Sequence, residues 1–308
     1  MIMTNKFKPA ALKFGYALVQ DFDYQHAWAA IQYTHMAQTL DPRCMLLIGQ
    51  SGDGKTSILN RYQASCSIKK THELSPRNVI LVTATSKLSV HNFASRILRA
   101  LGDPAPNTGT FASKEERLLC YKQQLGLELI IIDEFHDLLP KGYFDMRSGI
   151  VKFIKWLMIE LKVSVVMSGL PLSEEILSID EQIETRCNEI VEFTGFNMCN
   201  KEQTQRYASF IKSLMAEFPT SIRGLFSTDG SGLLRLLLAT HGNKRRLKDL
   251  LIYAIQTTPD TESTTQAILH DAWTRTVSKM TRNEAKALPF SSTLKQVKSS
   301  LVDLGLYA

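Results

Sequence analysis

One run constrains this chain more than any other: Gly49-Gln50-Ser51-Gly52-Asp53-Gly54-Lys55-Thr56-Ser57, which fits G-x-x-x-x-G-K-[ST]. It follows Cys44-Met45-Leu46-Leu47-Ile48, an apolar stretch with strand character, and it runs into Ile58-Leu59-Asn60-Arg61-Tyr62, which continues a helix. A strand, a glycine-containing turn and a helix in that order make a phosphate cradle. The glycines let successive backbone N–H groups turn inward around phosphate oxygens, and the helix N-terminus adds the positive end of its dipole. Lys55 is placed to reach the β- and γ-phosphates and the Thr56 hydroxyl to meet Mg2+. A turn that binds nothing is the bland alternative, and the flanking strand and helix argue against it. The run predicts a nucleotide-binding segment from Gly49 to Ser57.

Leu129-Ile130-Ile131-Ile132-Asp133-Glu134 supplies the second half of an ATP site, an apolar strand ending in two carboxylates. An aspartate there holds magnesium, usually through water, and the adjacent glutamate polarises the water that attacks the γ-phosphate. Alone, Asp133 would read equally well as a helix cap; the loop upstream makes it a metal partner. His136 and Asp137 read as neighbours of the site or as surface residues, not as catalysts. Ser168, near the end of Val165-Val166-Met167-Ser168-Gly169, is either a hydroxyl that senses phosphate or positions water, or an ordinary turn residue. Arg186, in Gln182-Ile183-Glu184-Thr185-Arg186-Cys187, faces outward from its own site. It is either a surface arginine or one that enters a neighbouring subunit's site and stabilises charge on the transferring phosphoryl group. Lys244, Arg245 and Arg246 place three cations at a helix N-terminus, which is unfavourable without an anion. A bound nucleotide would supply one, through Arg245 first and Arg246 next.

Five runs rich in Val, Ile and Leu, at 45–48, 79–82, 129–132, 163–167 and 190–193, alternate with helical patterns. That alternation predicts an α/β fold, a P-loop NTPase core on a five-stranded parallel sheet. Beyond Thr194 the pattern is helical, at 201–218, 232–240, 244–257 and 264–278, so a helical lid domain is expected after a boundary at 195–200. Gly102-Asp103-Pro104-Ala105-Pro106-Asn107-Thr108-Gly109 is the clearest loop. Residues 282–308 read as a tail with a short amphipathic helix at 293–306 that orders on a partner. The 36 basic against 30 acidic residues give a net charge of +6, a mild lean toward a polyanionic partner. Five cysteines with no C-x-x-C pair argue against a disulfide framework or a zinc site and suit reduced thiols in the cytoplasm. No signal peptide or membrane span is expected.

With the loop, the two carboxylates, Thr185-Arg186-Cys187 and Gly242-Asn243-Lys244-Arg245-Arg246 in this order, the chain resembles the AAA+ ATPases over about residues 25–280. Within that class it looks most like the TniB/TnsC group of transposition regulators. The segment 27–43 leads into the first strand as in that group. Asp133-Glu134-Phe135-His136-Asp137-Leu138-Leu139 is similar to its Asp-Glu-x-His-x-Leu-Leu pattern, and Ser168-Gly169-Leu170-Pro171 to its Gly-Leu-Pro turn. Leu288-Pro289-Phe290 is similar to its Asn-Pro-Phe ending, with Leu288 in place of Asn. The resemblance implies an N-terminal extension at 1–24, an AAA+ ATPase domain at 25–198, a helical lid at 199–281 and a partner-binding tail at 282–308. It also implies a homo-oligomer, ring or helical filament, that assembles on double-stranded DNA with ATP, answers a target-selection protein and recruits a transposase. Hydrolysis would drive disassembly. Lys87, Arg96, Arg99, Lys114 and Arg117 are then the candidate DNA-phosphate contacts. A helicase loader or clamp-loader-like ATPase, and a non-hydrolysing scaffold, are the alternatives the sequence leaves open.

Overall fold

Unbroken runs of Val, Ile and Leu cannot leave both faces in water, and each of the five becomes a strand of one sheet. A computed structural model describes residues 8–17, 19–66, 78–86, 89–139, 144–217, 230–259, 264–281 and 286–308, without the side chains of 144–148. Along the chain its elements are α1 (Pro9–Tyr16), α2 (Phe22–Ala37), β1 (Cys44–Gly49), α3 (Lys55–Ser65), β2 (Val79–Thr83), α4 (Val90–Leu101) and α5 (Phe111–Leu125). Next come β3 (Leu129–Asp133), α6 (Phe144–Ile159), β4 (Ser164–Gly169), α7 (Glu175–Ile179), α8 (Glu181–Arg186) and β5 (Cys187–Phe193). The rest is helical: α9 (Lys201–Ala216), α10 (Ser231–Thr240), α11 (Lys244–Thr257), α12 (Gln266–Thr276), α13 (Ser278–Thr281) and α14 (Leu294–Asp303).

The strands pair in the order β2-β3-β4-β1-β5, all parallel, as the alternating pattern predicts. Alternate residues sort to opposite faces. Leu46, Ile48, Ile130, Ile132, Val165 and Met167 enter one large core with Phe93, Ile97 and Leu98 of α4 and with Phe153, Ile154 and Leu157 of α6. The opposite face receives α3, which packs on β1, β3 and β4. No helix among the described residues is long and apolar enough to cross a membrane.

The chain divides into one unit at Asp23–Thr194 and a second drawn from both ends, up to Phe22 and from Gly195 onward. The two ends differ from the expected extension and tail, since both pack into the helical unit. Ala11 and Phe14 of α1 share a core with Leu250, Leu251 and Ala254 of α11. Phe290, Val297 and Leu301 join the same core, and α14 starts with a capping box between Thr293 and Gln296. Arg235 donates from Nη1 to the carbonyls of Pro289 at 2.7 Å and Ser292 at 3.0 Å, fixing the turn after Leu288. The amphipathic face read in the sequence as a partner surface is therefore buried within its own unit.

Candidate active site

The end of β1 lies so close to the end of β5 that only glycine fits at position 49: a Cβ there would meet the Phe193 carbonyl oxygen at 2.5 Å. Gly52 and Gly54 follow at φ 91° and 107°, turning the backbone into the start of α3. Gly54 is that helix's N-cap and offers no capping side chain, so the positive dipole end of α3 meets the loop without a side-chain cap. Lys55 is almost fully buried and donates from Nζ to the carbonyls of Gly49 at 2.7 Å and Gln50 at 2.9 Å. Asp53 is buried too, and its Oδ2 accepts the Gln50 N–H at 3.0 Å. This carboxylate inside the loop ties it across itself, a role the sequence pattern leaves blank because it treats the position as any residue.

Thr56 Oγ1 donates to Asp133 Oδ2 at 2.8 Å, which joins the loop to the strand-end carboxylates. Strand alternation puts Asp133 on the α3 face. A hydroxyl and a carboxylate in contact are hard oxygen donors, and the set fits Mg2+. Glu134 then leaves β3 in the left-handed region, φ 54° and ψ 37°, which costs a non-glycine residue about 1–2 kcal/mol. Its N–H donates to Asp133 Oδ1 at 2.9 Å and its carbonyl accepts from Asp137 N at 2.9 Å, so the surroundings hold the strained turn. The Glu134 side chain is 46% exposed and reaches solvent.

The register pairs Ile132 with Met167 and Leu47 with Ser168. Ser168 therefore lies one step beyond Met167, beside Asp133 and on the same face. It is fully buried, and its Oγ finds no hydrogen-bond partner among the described residues.

Arg186 ends α8 immediately before β5, whose first residue, Cys187, pairs with Cys44, the first of β1. The phosphate loop follows the other end of β1, after Gly49. The strand length between them is about 16 Å at ~3.3 Å per residue. Arg186 cannot reach its own loop. Nη1 bonds Asp41 Oδ1 at 2.6 Å and the Pro42 carbonyl at 3.3 Å. The Arg186 hydrogen bond holds the Asp41 carboxyl below the usual carboxylate range.

In the helical unit, Lys244, Arg245 and Arg246 form the first turn of α11, with the Asn243 side chain accepting the Arg246 N–H at 3.1 Å. Lys244 has its anion within the unit, Asp21, and sits over the rings of Phe196 and Phe210 at 5.1 and 5.8 Å. Arg245 is exposed.

The five expected DNA contacts separate. Lys87 lies outside the described residues. Arg99 is on the surface of α4, bonding Asn107 Oδ1 at 3.2 Å, and Arg96 braces the end of β2 through the Thr83 carbonyl at 2.8 Å and Thr85 Oγ1 at 3.0 Å. Lys114 must be withdrawn as a phosphate contact. It is fully buried, bonded to His91 Nε2 at 2.6 Å and Ser95 Oγ at 2.5 Å, and burial, with the Arg117 charge adding, lowers its pKa. Arg117 must be withdrawn as well. It pairs with the buried Asp103 at 2.9 Å and bonds the carbonyls of Ala105 at 3.0 Å and Thr108 at 2.8 Å, so its guanidinium shapes the 102–109 loop. Replacing Arg117 with alanine leaves the Asp103 carboxylate without its cation. This is expected to destabilise the fold by about 2–4 kcal/mol, seen as a lower melting temperature. A melt unchanged within a degree would return Arg117 to the surface candidates.

A model of the family described as "Bacterial TniB protein" matches residues 30–194, more than half of the chain. No curated protein matches. Among solved structures, the chain is similar to the ORC2 protein of Aeropyrum pernix in ADPNP–ADP complexes, at TM-score 0.58 and 14% identity over 92% of this chain and 73% of that one. It is similar to the Cdc6p of Pyrobaculum aerophilum at TM-score 0.59 and 13% identity, covering 85% and 69%. It is also similar to the ORC1 protein of A. pernix in complex with DNA, at TM-score 0.53 and 17% identity, covering 93% and 84%. At these identities the likeness shows the fold, that of the AAA+ P-loop ATPases.

Proposed function

This chain belongs to the bacterial TniB family, and on that premise we propose that it is an ATP-hydrolysing AAA+ regulator of DNA transposition. It oligomerises on double-stranded DNA with ATP and Mg2+, links a target-selection protein to recruitment of a transposase, and comes apart when ATP is hydrolysed. We place it in the cytoplasm. The observation that carries the hydrolytic part is the Thr56–Asp133 hydrogen bond, which makes the phosphate loop and the strand-end carboxylates one constellation. The family match supports the transposition part.

In this reading the loop amides and Lys55 bind and orient the β- and γ-phosphates. Thr56 and Asp133 would hold Mg2+, which supplies charge neutralisation at phosphate oxygens. Glu134 takes the proton from the attacking water, and the Ser168 hydroxyl senses the γ-phosphate or positions that water. Arg186 serves the site of the next copy and stabilises charge on the transferring phosphoryl group. Arg245 and Arg246, cations at a helix N-terminus, bind the nucleotide. Arg96 and Arg99 contact DNA. Binding of that kind goes to phosphates, falls with salt and has little sequence preference.

Electron microscopy of the protein with linear duplex DNA tests the whole reading. Rings or filaments on DNA are expected with a slowly hydrolysed ATP analogue and not with ADP or without nucleotide. Particles that ignore duplex in all three conditions would sink it.

A further inference from the structure

The turn that carries Glu134 touches the turn at the end of β4 through one ring. His136 Nδ1 accepts the Leu170 N–H at 3.3 Å and lies 3.5 Å from Glu134 Oε2. Leu170 stands two residues past Ser168 in the chain. Gly169 between them has no room for a side chain: a Cβ would lie 3.1 Å from both His136 N and His136 Nδ1, and 2.3 Å from Ser173 Oγ. That Ser173 hydroxyl is buried and has no hydrogen-bond partner among the described residues. The two turns are packed together as one piece.

The hydrogen-bond roles follow from this geometry. To accept the Leu170 N–H, Nδ1 must carry its lone pair, which puts the ring proton on Nε2. Nδ1, occupied as an acceptor, makes no hydrogen bond to Glu134 Oε2, so the ring's hold on the glutamate turn runs through the Leu170 hydrogen bond and through packing.

We infer that His136 is a positioning residue for Glu134, holding the glutamate turn to the β4 turn so that a shift at Ser168 is felt at the base. The inference rests on the hydrolytic reading above. One Nδ1 faces both turns, so neither can move without the other unless the Leu170 hydrogen bond breaks.

The test compares steady-state ATP hydrolysis and analogue affinity in the full chain for wild type, His136→Leu and His136→Asn. Leucine fills similar space without an acceptor, whereas the asparagine carbonyl can accept the Leu170 N–H. His136→Leu is expected to lower kcat about ten-fold, the loss of one such hydrogen bond, with Kd for the ATP analogue within two-fold of wild type. His136→Asn is expected to recover most of kcat. If His136→Leu does not melt cooperatively, His136→Phe takes its place, because it keeps a ring in the same space without an acceptor for the Leu170 N–H, and the same kcat-only loss is expected. An inactive wild type overturns the hydrolytic reading and this inference together. An active wild type whose kcat is untouched by these changes overturns the inference alone. So does a loss shared equally by kcat and affinity that asparagine does not restore, which would make the ring a structural filler.

Discussion

Replacing Glu134 with glutamine is expected to slow ATP hydrolysis by about 10²–10⁴-fold while leaving the nucleotide bound. The substitution keeps shape and hydrogen-bonding capacity but removes the carboxylate that takes the proton from water. Nucleotide affinity should hold, because the cradle is formed by Gly49 to Ser57 and by Asp133, which keeps its bond from Thr56. The strained turn should hold as well, since its supports are backbone hydrogen bonds at Glu134 N and Glu134 O. Bound ATP would then persist, and DNA-bound assemblies would outlive those of the wild type. Phosphate release and analogue titration on the same preparation decide the matter. Hydrolysis at the wild-type rate would remove Glu134 from the mechanism and favour a scaffold in which nucleotide is a structural ligand.

The second large effect belongs to Lys55. Its ammonium spans the carbonyls of Gly49 and Gln50 while almost buried, so the charge is already held where phosphate would arrive. Lys55→Ala removes that charge and leaves the two carbonyls to water. One charge-assisted contact is worth about 1.5–3 kcal/mol, so Kd for an ATP analogue should weaken by roughly 10–150-fold. DNA assembly that depends on ATP should fall with it. A titration showing unchanged affinity would reject Lys55 as a phosphate ligand.

The phosphate loop was legible because its chemistry demands fixed residue types at fixed spacing, and Gly49 has to be glycine for a reason the motif does not name, its approach to Phe193. The inner strands were legible from unbroken apolar runs. β5 starts three residues earlier than its apolar run: Cys187 pairs with Cys44 and Glu189 with Met45 across a register shift at Asn188, and all three are partly exposed, so no apolar run marks them. Cations were the least legible. Nothing in the α5 pattern says that Lys114 turns inward, since its partners His91 and Ser95 lie on α4, and Arg117 depends on Asp103 across a loop. His136 stood out in the sequence, but its hydrogen bond did not, because the partner follows β4 and only the fold brings the two turns together. The chain ends misled because an amphipathic stripe such as that of α14 marks a surface to be covered, and does not say whether its cover is foreign or its own.

Arg186 sits a full strand away from the loop on its own sheet, latched by Asp41. If that arginine serves a neighbour, no lone molecule has a complete catalytic set, and turnover per molecule climbs with protein concentration before it levels. An open row of copies would also carry one incomplete site, at one end only. Such a row has a polarity: its two tips lose nucleotide at different speeds, and a factor that docks at one tip could lengthen or shorten the whole by governing a single γ-phosphate.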